Sequence, residues 1–385
     1  MTCRQAKRPA TAKVPSPLRR AGCCAFGPFN DERAVEATMP GRNDFSRVRQ
    51  SLMLEGKPDR VPLWELHVDH EVKEAFLGKK LESEADEVQF WVEAGFDFVP
   101  ISAGLLAVAG VLSGEATVTK AHQYSVYRET EREVTWAAEG QGVITSFAEL
   151  EAFPWPTQEQ ISLEHVERTI ACLPEGMGCI VIVGKIFTPV WMLMGFEGFA
   201  EACAFNPELV AAIFERIGQI QFDCCLRAMK LPGVSALWMS DDIAYGQGMM
   251  VNPKVFREHL FPWYRRLGEI MRDADMPYAF HSDGDLWPVM DDILGCHFNA
   301  IHPIEPKAMD SREVKAKYGD RLCLTGNVEL DRLSRGTPGE VRRMVRRNIE
   351  ELGYDGGYCV GSSNSVTYYV PLENYLAMVE EGLKG

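Results

Sequence analysis

The stretch PYAFHSDGDLWPVMDDIL, residues 277–294, joins an apolar run to a helical pattern through His281, Ser282, Asp283, Gly284 and Asp285. Apolar runs of this kind belong to strands buried on both faces, as in parallel sheets. A buried strand tip is a poor place for a histidine and two carboxylates unless something there binds them. The same pattern repeats on both sides. Short β-rich runs occur at 178–187, 234–242, 298–305, 321–329 and 356–365, with helical patterns between them. Two earlier runs, at 61–64 and 95–102, bring the total to about eight, the number that closes a (β/α)8 barrel. Helix starts are expected at Asn206, ahead of PELVAAIFERIGQIQF, and at Thr337, ahead of PGEVRRMVRRNIEEL.

In such barrels the active site lies at the carboxyl ends of the strands. Nearly every strand here ends in polar residues: Glu65 and His67; Lys185; Asp241 and Asp242; His281 and Asp283; His302 and Glu305; Asn327 and Glu329; Ser362, Ser363 and Asn364. These tips are expected to converge on one mouth. His281 and Asp283 are the expected catalytic or metal-binding pair, with Asp242 and Glu65 beside them. Imidazole and carboxylate serve acid catalysis and metal ligation alike. A blander role competes for Asp283, because aspartate ahead of a helix caps it. His67, His302, Asn327 and Asn364 are expected to touch substrate, and Trp191 with Met192 and Met194 to wall it. Cys359 is expected in the core.

The bulk properties narrow the partners. The chain has 385 residues, 46% hydrophobic and 25% charged, enough for a sizeable core. A net charge of −15 repels a nucleic-acid backbone. No run of about 18 apolar residues is present to cross a membrane. Eleven cysteines without a CxxC read as reduced thiols, hence a cytoplasmic protein. Residues 1–40 differ in kind: the first 22 carry six basic residues, three prolines and no acid, and are expected as a disordered basic tail. Met39 stands where a shorter chain would start. Residues 41–385 are expected as one barrel domain, with an antiparallel hairpin near 121–147 as an excursion from it.

RVRQSLMLEGKPDRVPLWE (47–65), VNPKVFREHLFPWYRRL (251–267), HSDGD (281–285), GNVE (326–329) and VPLENYLAMVEEGLKG (370–385) together resemble the uroporphyrinogen decarboxylase superfamily. The resemblance spans about residues 43–385 and implies the barrel. It implies two chemistries: decarboxylation of uroporphyrinogen without a cofactor, or methyl transfer to or from a corrinoid. The decarboxylases hold their many-carboxylate substrate with an arginine-bearing segment after the first strand. Here that place reads WELHVDHEV, with Glu65, His67, Asp69 and His70 and no arginine. The methyltransferases carry a zinc motif, His-x-Cys with a later cysteine. HSD at 281–283 takes its place, with Asp283 for the first cysteine and Asn364 near the second. Zinc at this mouth would then be held by nitrogen and oxygen, from His281 and Asp283 with Glu65 or His67, and would polarise an ether oxygen. The expected function is methyl transfer from a small methylated substrate, such as a methoxylated aromatic, to a corrinoid carried by a partner protein. Uroporphyrinogen decarboxylation and a non-catalytic ligand-binding barrel are the alternatives.

Overall fold

The structure, a computed structural model, describes residues 43–105, 118–124, 131–137 and 142–385; the basic segment 1–40 lies outside them. The strands are β1 (Phe98–Ser102), β2 (Val118–Tyr124), β3 (Glu131–Ala137), β4 (Gly178–Val183), β5 (Val234–Ser240), β6 (Ala244–Tyr245), β7 (Gly248–Met249), β8 (Tyr278–His281), β9 (Ala300–His302), β10 (Cys323–Val328) and β11 (Tyr358–Ser362). Seven of them form one parallel sheet in the order β1-β4-β5-β8-β9-β10-β11. All residues of β4, β8, β9, β10 and β11 are buried, as strands covered by helices on the outside and by one another on the inside must be. The pairs β2–β3 and β6–β7 are antiparallel and stand apart from that sheet.

The parallel sheet is curled. Trp64 belongs to the segment beside β11, where Leu63 bridges Val360, yet its ring lies 4.4 Å from Trp238 of β5 and 5.0 Å from Phe98 of β1. Residues 61–64 were expected as a full strand. Their ladder bonds go to β11, through Trp64 N–H to Val360 O (2.7 Å) and Val360 N–H to Pro62 O (2.8 Å), while Val61 N–H bonds the Gly385 carbonyl at 3.1 Å. Pro62 and Pro100 each lack the N–H that a ladder toward β1 would need. Toward β1 the segment makes the Trp64–Phe98 ring contact, with no ladder among the described residues.

Helices between the strands follow their local signals. Thr337 and Glu340 form a reciprocal capping box at the start of Pro338–Leu352. Asn206 occupies the position before Pro207–Ala228 but makes no side-chain cap bond. It also ends the preceding helix, Phe196–Phe205, and its backbone N–H is committed to Ala202 O. Pro207, with its fixed φ, starts the helix instead.

The amino end of β1 carries a buried charge cluster. Asp97 is fully buried and accepts from Arg60 Nη2 at 2.8 and 2.9 Å, from Arg47 Nη1 at 3.1 Å and from the Asp44 backbone N–H at 2.9 Å. It lies at the opposite end of the sheet from the polar tips, where side chains hold the fold together rather than meet substrate.

Candidate active site

Register brings the polar tips level. Ser240 pairs with His281, and His281 with His302, so both histidines project from the same face of neighbouring strands. Their Nδ1 atoms lie 2.7 Å apart and their rings are tilted by only 30°. On the other side, His281 Nε2 approaches Asp242 Oδ1 at 3.4 Å. The Asp283 backbone N–H donates to that same oxygen at 3.3 Å. Asp242, His281 and Asp283 each offer one donor atom, and these three atoms lie within 4.8 Å of one another.

The two carboxylates are shifted in opposite directions. Burial pushes Asp242 up, but the hydrogen bond and charge of His281 outweigh it, helped by Lys185 and the Asp283 N–H. The carboxyl is held well below the usual range and is ionised. Its side chain is still 42% exposed, so a ligand can reach it. Asp283 is pushed up to about 6, first by burial. The charge of His281 opposes this, the carboxylates of Asp242 and Glu305 add to it, and a hydrogen bond from Asn364 opposes it again. That bond is Asn364 Nδ2–H to Asp283 Oδ2, 2.5 Å. Asp283 Oδ1 is buried and has no partner.

Beside the cluster opens a cavity of about 170 Å³ lined by Asp283, Glu305, Lys307, Glu329, Asp331 and Asn364 among others. Its one cation, Lys307, is paired with Asp331. No arginine lines it among the described residues. Glu305 accepts from the Gly284 N–H at 3.1 Å. A Cβ on Gly284 would come within 2.4 Å of Tyr245 backbone, so the β6–β7 hairpin packs directly against the HSDGD turn.

The other expected site residues fall into different surroundings. Glu65 is fully buried, accepting Ser362 N–H at Oε1 and facing Ser362 Oγ with Oε2, both 2.7 Å. Burial pushes it up to about 8, against the two Ser362 bonds. Ser362 Oγ also lies 2.9 Å from the Asn364 carbonyl. A protonated Glu65 donating to Ser362, which donates to Asn364, satisfies every atom of that chain with one hydrogen per contact. Glu65 thus anchors the backbone that carries Asn364. His67 is exposed and pairs with Asp69 at 3.1 Å. Asn327, buried with φ +78°, donates to the carbonyls of Pro303 (2.7 Å) and Ile304 (3.1 Å), fixing the loop after β9. Trp191 lies on the helix Phe187–Met194, its Nε1 buried without a partner. Cys359 is fully buried and its thiol is pushed well up by that burial, as a core residue's is.

Two partnerships had no sequence signal. Asp241 accepts five hydrogen bonds, from the backbones of Ile186, Phe187 and Thr188, the Thr188 hydroxyl and Tyr264. It thereby anchors the start of a helix rather than facing substrate, and Tyr264 comes from a helix with no motif of its own. The contact between His281 and His302 follows from strand order, which two separate tips do not reveal.

The parallel α/β sheet is curled, as in TIM-barrel-like folds, and its acidic and histidine side chains gather at the carboxyl ends of the strands, where enzymes of that fold place their sites. Residues 137–382 match the uroporphyrinogen decarboxylase (URO-D) family, and the chain belongs to it. Among solved structures it is similar to a methyltransferase from Methanosarcina mazei, with 16% identity, a TM-score of 0.65, and coverage of 88% of this chain and 97% of that one. At that identity the likeness is one of fold. No curated protein matches the chain. No helix among the described residues is long and apolar enough to cross a membrane.

Proposed function

We propose that this protein is a methyltransferase that takes a methyl group from a small methylated substrate, a methoxylated aromatic by class, and passes it to the corrinoid of a separate protein. In this reading residues 41–385 work as one domain in the cytoplasm, with 61–65 as the eighth stave of the barrel and 1–40 as a basic tail. The observation that carries it is the Asp242–His281–Asp283 cluster with the orphaned Asp283 oxygen. One imidazole and two carboxylates, with an oxygen lacking a donor, suit a divalent cation such as zinc. His281 Nε2 and one oxygen from each aspartate would hold it. Bound there, the metal would act as a Lewis acid on the ether oxygen and make it a better leaving group.

The chain's own residues do the rest. Asn364 orients Asp283, and Asp242 holds His281. The acidic wall of Asp283, Glu305, Glu329 and Asp331, whose one lysine is already paired, disfavours a substrate carrying many carboxylates. This weighs against uroporphyrinogen despite the family's name. The metal content of purified protein tests the reading, with His281→Ala beside wild type. About one zinc per chain, lost in the variant, is expected. Zinc-loaded protein should then methylate free cob(I)alamin from a methoxybenzoate. Metal-free wild type that decarboxylates uroporphyrinogen would overturn it.

A further inference from the structure

The two Nδ1 atoms at 2.7 Å can share only one proton, and His302, neutral in its buried position, has one N–H to place. We propose that His302 is a positioning residue: its Nδ1 accepts the His281 Nδ1–H, and this turns His281 Nε2 toward Asp242 and Asp283. The inference rests on the cation site described above and names the side chain that sets its tautomer.

The surroundings of His302 decide between the two arrangements. The ring is wholly buried, with the Trp238 ring edge-on at 5.2 Å. Gly326 leaves it no slack, since a Cβ there would lie 3.0 Å from His302 Cδ2, 3.2 Å from its Nε2 and 2.7 Å from the Ser362 carbonyl oxygen. His302 Nε2 has no partner at full hydrogen-bond distance, yet the Ser362 carbonyl is close enough to act on the ring. A carbonyl only accepts. With the proton on Nε2, His302 presents N–H to that carbonyl and a lone pair to His281. With the proton on Nδ1, two lone pairs face each other in the core and neither is satisfied. The first arrangement therefore holds, and His281 must donate from Nδ1. Histidine ligands are commonly fixed this way, the second ring nitrogen donating to an acceptor outside the site.

Nitrogen-15 NMR of the full chain labelled at histidine reads the tautomers directly, with His281→Ala and His302→Asn giving the assignments. His302 is expected to carry its proton on Nε2 and a bare Nδ1. A proton on His302 Nδ1 would overturn the proposal. A second arm compares His302→Asn, which restores an acceptor oxygen near the place of Nδ1, with His302→Leu, which fills the space without one. Zinc competition against a chelator should show the leucine variant weaker by roughly 10–100-fold and the asparagine variant close to wild type. A packing role alone predicts the opposite order, because leucine suits an apolar interior better than asparagine. Wild type that binds no zinc would remove the metal reading, and the NMR result would still decide the tautomer by itself.

Discussion

Replacing Asp97 by alanine is expected to cost about 3–5 kcal/mol of folding stability, the range for breaking a buried ion pair from one side. Buried Arg60 would lose the carboxylate it bonds, Arg47 would fall back on exposed Asp59, and the Asp44 N–H at the start of the helix Phe45–Leu52 would lose its acceptor. Burial already pulls Arg60 down from its ordinary value and pushes Asp97 up, so each depends on the other for its charge. Asp59→Ala is the control. Its side chain is 65% exposed and pairs with the same Arg47, and loss of so open a pair should cost about 1 kcal/mol or less. Urea denaturation of both variants checks this. Equal losses would mean that the buried cluster is no more than another surface pair.

Glu65→Gln is expected to make the protein more stable in mild alkali. The folded carboxyl is raised from about 4.5 to about 8. Its contribution is therefore fully present below pH 4.5 and drains away as pH rises through 8, at up to about 1.4 kcal/mol per pH unit. Glutamine can accept the Ser362 N–H and donate to Ser362 Oγ without a charge, so the variant escapes that loss. Tyr375, which feels the same carboxyl, is itself held far above its usual range by burial and stays neutral. Unfolding free energies from urea denaturation between pH 5 and 9 should cross, wild type equal or better at pH 5 and the variant ahead at pH 8 by an amount on the order of a few kcal/mol. A variant that is less stable at every pH would show that Glu65 is held as the anion.

Much of this architecture was legible because parallel strands buried on both faces leave an unbroken apolar text, and β4, β5, β8 and β10 each sit inside such a run. His281, Asp283, Asp242 and Asn364 were legible as a group for a related reason: polar letters that end an apolar run have nowhere to go but the mouth. The contacts among them were not. Whether Asp241 or Asp242 faces the opening is a matter of one residue of pleat, and the structure gives Asp241 to the helix start and Asp242 to His281. His67 looked like a tip residue, but the chain turns after Val68, leaving its ring exposed against Asp69. The Asp97 cluster was invisible because Arg47, Arg60 and Asp97 each read as ordinary surface letters, and only the fold brings them together.

The segment around Trp64 has its partners at the far end of the chain: Glu65 meets Ser362, 297 positions later, and Asp69 N–H bonds Val366 O. On the ribosome, then, this apolar stretch emerges well before β11, the strand whose backbone bonds it, can be made. Contacts so distant in sequence form late and slowly, and exposed strand edges invite association in the meantime. The apolar stretch at 61–64 is thus the part of the chain whose backbone edge stays open longest for such association.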